Sequence, residues 1–247
     1  MADIMKHIRY IRGAVWLLAV AAGFAACSKM DDTYRDFLQG GEIIYTGKVD
    51  SLRAYPGRNR VLLAWALVSD PKITRCRVYW NQGHDSSEIA VRRSGGVDQV
   101  QLLLGGMAEN TYTFQVYTYD NAGHSSVREE TIANVYGDVY LSTLSNRPVR
   151  SAKYDAAKKE ATIWWYGVNN QAVSVEVNYI NTAGAAATII QVADSIPDNP
   201  RDAPEFRARL KLPDYKAGTA FSFRTAYKPV KFAIDTFYTA YETQGIQ

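Results

Sequence analysis

The sequence predicts an all-β protein built of two tandem β-sandwiches, and three observations carry that prediction. Apolar and aromatic residues alternate with polar ones in "VLLAWAL", "CRVYW", "TYTFQVYTY", "ATIWWYG", "VSVEVNY" and "AFSFRTAY", the signature of strands with one buried face. Gly, Asn, Asp and Pro clusters separate these runs, and no amphipathic helix is readable beyond about residue 35. Finally, the pattern repeats. "VLLAW" (61–65) lies over "ATIWW" (161–165), "CRVYW" (76–80) over "VEVNY" (175–179), and "NTYTFQVYT" (110–118) over "TAFSFRTAY" (219–227). Two units of about 90–110 residues follow, an ordinary domain size.

The N-terminus sets the address. Lys6, Arg9 and Arg12 precede an apolar run from Ala14 to Ala26. Its 13 residues fall short of the roughly 20 that span a bilayer, so residues 1–26 read as a signal peptide. The next stretch, "GFAACSKMDD", resembles a bacterial lipobox, with Phe24 where Leu is usual. That resemblance implies cleavage before Cys27 and acylation of its thiol, each buried methylene contributing about 0.8 kcal/mol of membrane affinity. A soluble secreted protein is the other reading of the same signal. "CSKMDD" is similar to the acidic export signal of Bacteroidetes lipoproteins, which implies an outer-membrane protein facing the cell exterior. Residues 27–45 then form the lipidated cysteine and a polar tether.

Charge and cysteine usage exclude several functions. Removing residues 1–26 takes three of 28 basic and one of 25 acidic residues, leaving 25 against 24 and a net charge of +1. Such a balance offers nothing to nucleic acid. Of two cysteines, Cys27 belongs to the lipobox and Cys76 sits in the apolar run "ITRCRVYW". Cys76 therefore has no intrachain disulfide partner and reads as a small buried hydrophobe.

The expected domains are 46–137 and 138–247. The first resembles the fibronectin type III fold. Trp65 takes the place of the buried strand-B tryptophan, and Ile73, Cys76, Val78 and Trp80 keep the inward spacing of strand C. "MAENTYTFQVYTYDNAGHSS" is similar to the E–F corner, strand F and the turn beyond, which would make Tyr112 the corner tyrosine. In the second copy Phe221 stands at that position and has no hydroxyl. The three prolines of "DSIPDNPRDAPE" (194–205) predict a loop inside the second sandwich. The short join near "NVYGDVYLSTL" (134–144) has no Gly/Ser run, so a fairly fixed interdomain angle is expected.

Over nearly all of its mature length the chain is also similar to a family of Bacteroidetes surface lipoproteins of unassigned function. The segments that carry this resemblance are "YRDFLQGGEIIYTGKVDSLRAYPG", "RVLLAW" and "AIDTFYT". It implies an association with glycan binding and polysaccharide utilisation.

No arrangement of residues points to catalysis. Nucleophilic catalysis needs a nucleophile beside an oriented base, and the two mature histidines, His84 and His124, fall in predicted turns. No metal or redox motif and no phosphate-cradling glycine loop occurs, and no cofactor is expected. Binding leaves a better trace. With Cys76, Val78 and Trp80 inward, alternation sends Arg75, Arg77 and Tyr79 outward. With Tyr112, Phe114 and Val116 inward, Gln115, Tyr117 and Tyr119 also face out. Strands C and F are neighbours in this fold, so Tyr79, Tyr117, Tyr119, Arg75 and Arg77 form a candidate binding face. Sugar contact, a protein interface and simple cross-strand packing are all compatible with it. The equivalent face of the second copy reads Ser174, Glu176, Asn178, Ser222, Arg224 and Ala226, without aromatics. Trp164, opposite in sense to Trp165, is a further candidate. "DSL" (50–52) and "DSI" (194–196) resemble a Bacteroidetes O-glycosylation motif.

Overall fold

Alternating strands joined by tight turns close into two sandwiches in a computed structural model, which describes residues 44–194 and 205–246. The signal segment, Cys27, the tether to residue 43 and residues 195–204 of the proline-rich stretch lie outside the described residues. The chain divides after Tyr45, and every strand belongs to the unit that begins at Thr46. In the first sandwich β1 (Asp50–Pro56), β2 (Arg60–Leu67) and β5 (Asp98–Gly105) form one sheet in the order β1-β2-β5. Facing it, β3 (Arg75–Trp80), β4 (Asp85–Ala90), β6 (Asn110–Tyr119) and β7 (Glu129–Val135) run in the order β4-β3-β6-β7. The second sandwich repeats the plan. There β8 (Val149–Asp155), β9 (Glu160–Trp165) and β12 (Arg209–Leu212) pair as β12-β9-β8. Opposite them lie β10 (Ala172–Ile180), β11 (Ala186–Val192), β13 (Ala220–Tyr227), β14 (Phe237–Tyr238) and β15 (Glu242–Gly245), in the order β11-β10-β13-β14 with β15 also on β13. Three strands packed on four or five in this order make fibronectin type III-like sandwiches.

Each core is filled by the inward set that alternation selects. Trp65, Cys76, Val78, Phe114 and Val116 are buried in the first, and Trp165, Val175, Val177, Phe221 and Phe223 in the second. The Tyr112 hydroxyl donates to the Ala108 carbonyl at 3.1 Å, closing the tyrosine corner. Phe221 cannot do this, but buried Tyr215 substitutes, its hydroxyl donating to the Thr219 carbonyl just before β13.

The join departs from the sequence expectation in containing a helix, α1 (Asp138–Ser142). Five residues are too few to be helical on propensity. A distant side chain holds them: the Glu109 carboxylate accepts the Val139 and Tyr140 N–H groups, both at 2.8 Å. Beside it Tyr136, Tyr140 and Phe237 pack edge to face, with centroids 4.9 to 6.4 Å apart. Asp235 completes the joint. Its carboxylate accepts from Arg60 at 2.5 Å and 2.9 Å and from the Arg58 N–H at 2.8 Å, while the Ile234 N–H donates to the Pro56 carbonyl at 2.8 Å. Arg60 holds the Asp235 carboxyl below its usual range, outweighing the opposing effect of burial. Gly57 permits this approach, because a Cβ there would lie 2.4 Å from Asp235 Oδ2 and 2.7 Å from Ile234 Cγ1.

Gly57→Ala should therefore destabilise the protein by about 1–3 kcal/mol in urea unfolding, the usual range for overpacking. Asp235→Asn tests the charge. A carboxylate with a depressed native pKa stabilises above the unfolded value of about 3.9, and that contribution disappears as pH falls through the native one. The penalty of Asp235→Asn should thus be constant above about pH 5 and shrink away in acid.

Candidate functional site

The cross-strand register assembles the face that alternation predicts. On β3 and β6, Arg75 lies opposite Tyr119, Arg77 opposite Tyr117, and Tyr79 opposite Gln115. Tyr79 and Tyr117 meet edge to face at 5.8 Å. The Arg75 guanidinium lies 5.2 Å from the centre of the Tyr119 ring, and that of Arg77 lies 6.0 Å from the Tyr79 ring. Both distances allow cation–π attraction. All five side chains are half-buried, each bearing on a neighbour within the same sheet.

A carboxylate that the sequence reading did not single out organises the arginines. Glu88 on β4 lies opposite Arg77 and pairs with it at 2.8 Å, and with Arg75 at 3.7 Å. Two cations thus share one anion. The Arg75 Nε is buried without a hydrogen-bond partner. Arg77 also reaches the Tyr79 hydroxyl at 3.4 Å and draws its pKa down. Burial, aided by the adjacent Tyr79, pushes the Tyr119 phenol up to about 12, so it stays protonated at neutral pH. Chemically this is a surface of phenol rings, hydroxyls and guanidinium donors.

Trp164 is not part of that surface. It is half-buried on β9 in the three-stranded sheet of the second sandwich, opposite Arg209 and Ser151. The second sandwich also corrects the expectation of a face without aromatics. Tyr238 and Tyr241, from β14 and the segment after it, bracket the Arg224 guanidinium at 4.4 and 4.7 Å. Glu176 binds Arg224 at 2.7 Å and accepts from the Tyr241 hydroxyl at 2.5 Å. Ala226, expected outside, is buried. Alternation missed this cluster because Tyr238 comes from a strand of two residues and Tyr241 from the irregular segment after it, neither of which shows a period.

Both histidines of the described residues lie in turns. His124 Nδ1 is 2.7 Å from Asp120 Oδ2 in the β6–β7 turn. The neighbouring Ser126 hydroxyl donates to the Val127 carbonyl and accepts from the Thr118 N–H. His84 lies exposed in the β3–β4 turn. Among the described residues no group of three or more His, Cys, Asp or Glu could hold a metal, and no helix is long and apolar enough to cross a membrane. Ser51 of "DSL" is exposed, its hydroxyl on Asp50 at 2.8 Å. Cys27 lies outside the described residues.

Fold and face together define a tandem fibronectin type III-like β-sandwich protein with an aromatic and cationic sheet surface. The chain belongs to the DUF4998 family, a domain of unknown function whose profile matches residues 27–237. Among solved structures it is similar to a two-domain fibronectin type III segment of chicken tenascin. That match has 16% identity and a TM-score of 0.31, and covers 80% of this chain and 98% of the other. The FN1–FN3 domains of chicken CNTN1 match at 11% identity with a TM-score of 0.39, over 82% of this chain and 65% of that one. No curated protein matches.

Cys76 offers a direct check on the core. Burial pushes its thiol up to about 11, so little nucleophilic thiolate exists at neutral pH. At pH 7.5 iodoacetamide should leave Cys76 unmodified in the native protein and label it fully in denaturant, read by peptide mass spectrometry.

Proposed function

We propose that this is a non-catalytic lipoprotein, anchored through Cys27 in the outer membrane and facing the exterior, that assists glycan capture in a Bacteroidetes polysaccharide-utilisation system. The observation that carries the glycan reading is the Tyr79, Tyr117, Tyr119, Arg75 and Arg77 face on β3 and β6. Its rings are held in place by edge contacts and by arginines, so little conformational freedom is lost on binding. An open sheet suits an extended polymer, where several weak contacts act together. The anchor reading is supported by the charged, apolar and small-residue sequence ahead of Cys27 and by a family match that opens at that residue.

A second reading, a protein-contacting spacer without sugar binding, is favoured by the other sandwich. Ile190 and Val192 on β11 are 59% and 61% exposed. Ile190 lies opposite Glu176 across β10 and β11, and Val192 opposite Ser174. Exposed apolar side chains side by side on an edge strand suit a protein contact.

Affinity gel electrophoresis of residues 28–247 through plant, host and microbial polysaccharides separates these readings. Retardation is expected in at least one gel, weakened about tenfold (about 1.4 kcal/mol) by Tyr117→Ala or Tyr119→Ala. Retardation in none, or retardation indifferent to both substitutions, would remove the face from glycan binding. For the anchor, Cys27→Ser should abolish metabolic palmitate labelling and leave the protein out of the membrane fraction. Membrane retention without the cysteine would contradict it.

A further inference from the structure

At the end of the first sandwich, the β3–β4 turn and the start of β6 border an open recess of about 470 Å³, within the ~300–1,000 Å³ of small-molecule sites. We infer that this recess is a subsite for a neutral, hydroxyl-rich sugar unit; the inference rests on the glycan reading above and extends it.

Its lining is chemically selective. Trp80 and Tyr112, whose rings pack with Phe114 on the core side, border it, and Gln82, Asn110, Thr113 and Gln115 bring amides and a hydroxyl. No Asp, Glu, Lys, Arg or His lines it. An anionic sugar would surrender hydration there with no cation to replace it, whereas a sugar hydroxyl exchanges water for amide partners at little cost. The side chains of Gln82, Thr113 and Gln115 make no hydrogen bond to any described residue, which leaves two amide groups and a hydroxyl able both to donate and to accept. Trp80 is fixed from behind, since it packs on the core and its ring lies 6.5 Å from that of Phe114.

Asn81, Gln82 and Gly83 hold φ values of 50°, 57° and 85° in succession, the left-handed turn that carries Gln82 to the recess rim. The recess is also continuous with the tyrosine face, because Gln115 lies opposite Tyr79 across β3 and β6. One glycan chain can therefore run over the tyrosines and place a neutral unit at the turn.

The test pairs neutral with uronate-rich polysaccharides in affinity gels. It compares the parent protein with a Gln82→Ala/Gln115→Ala variant, Thr113→Val and Arg75→Gln. None of Gln82, Gln115 and Thr113 bonds to a described side chain, so melting temperatures should be unchanged. Retention by a neutral polysaccharide is expected, weakened about tenfold or more in the double glutamine variant and several-fold by Thr113→Val. Neutral retention indifferent to these changes overturns the subsite and leaves glycan capture standing. So does retention by uronate-rich polymers alone with sensitivity to Arg75→Gln. No retention by any polymer overturns both.

Discussion

Asp235 is the constraint on which the two-sandwich arrangement depends. A partly exposed ion pair contributes little in isolation. Here the carboxylate also accepts a backbone N–H, its neighbour Ile234 donates to the Pro56 carbonyl, and an aromatic trio packs alongside. Residues 175 apart in the chain are thereby locked in register. The three segments that carry the family resemblance converge on this point: "AYPG" supplies Pro56 and Gly57, "RVLLAW" begins with Arg60, and "AIDTFYT" supplies Ile234, Asp235 and Phe237. What those segments share in space is a joint, set apart from the tyrosine face.

Both sandwiches build a similar cluster on the larger sheet, but on different strands. The outer face of the larger sheet has an arginine, a carboxylate on an adjacent strand and flanking tyrosines. In the first these are Arg77, Glu88, Tyr79 and Tyr117, and in the second Arg224, Glu176, Tyr238 and Tyr241. Their balance differs. The first face has a second arginine that shares the single carboxylate, while in the second the pair is closed and the Tyr241 hydroxyl caps it. Guanidinium donors therefore concentrate on the outer face of the first sandwich, and apolar exposure at Ile190 and Val192 on the second.

Much of this architecture is legible in the residues because a strand's period of two is a local property. The inward sets around Trp65 and Trp165, the tyrosine corner at Tyr112 and the outward set at Arg75, Arg77, Tyr79, Tyr117 and Tyr119 all follow from it. What depends on contacts far apart in sequence is not legible. Glu109 creates α1 by capping it from about thirty residues away, and nothing in "DVYLS" announces a helix. Glu88 reads as an ordinary strand residue until register places it beside Arg77. Tyr238 and Tyr241 belong to a segment too short for periodicity. The recess at Gln82 needs the turn conformation as well as the side chains, and "NQGH" alone describes only a turn.

The central claim is that the first sandwich presents a prebuilt glycan surface on a fixed two-sandwich frame. Backbone amide shift mapping during titration of residues 28–247 with soluble oligosaccharides tests it most directly. The account predicts saturable shifts confined to residues 75–83 and 110–119, with the joint around Gly57 and Asp235 unmoved. Shifts centred on β11 and β14, or no shifts with any neutral or acidic oligosaccharide, would contradict it.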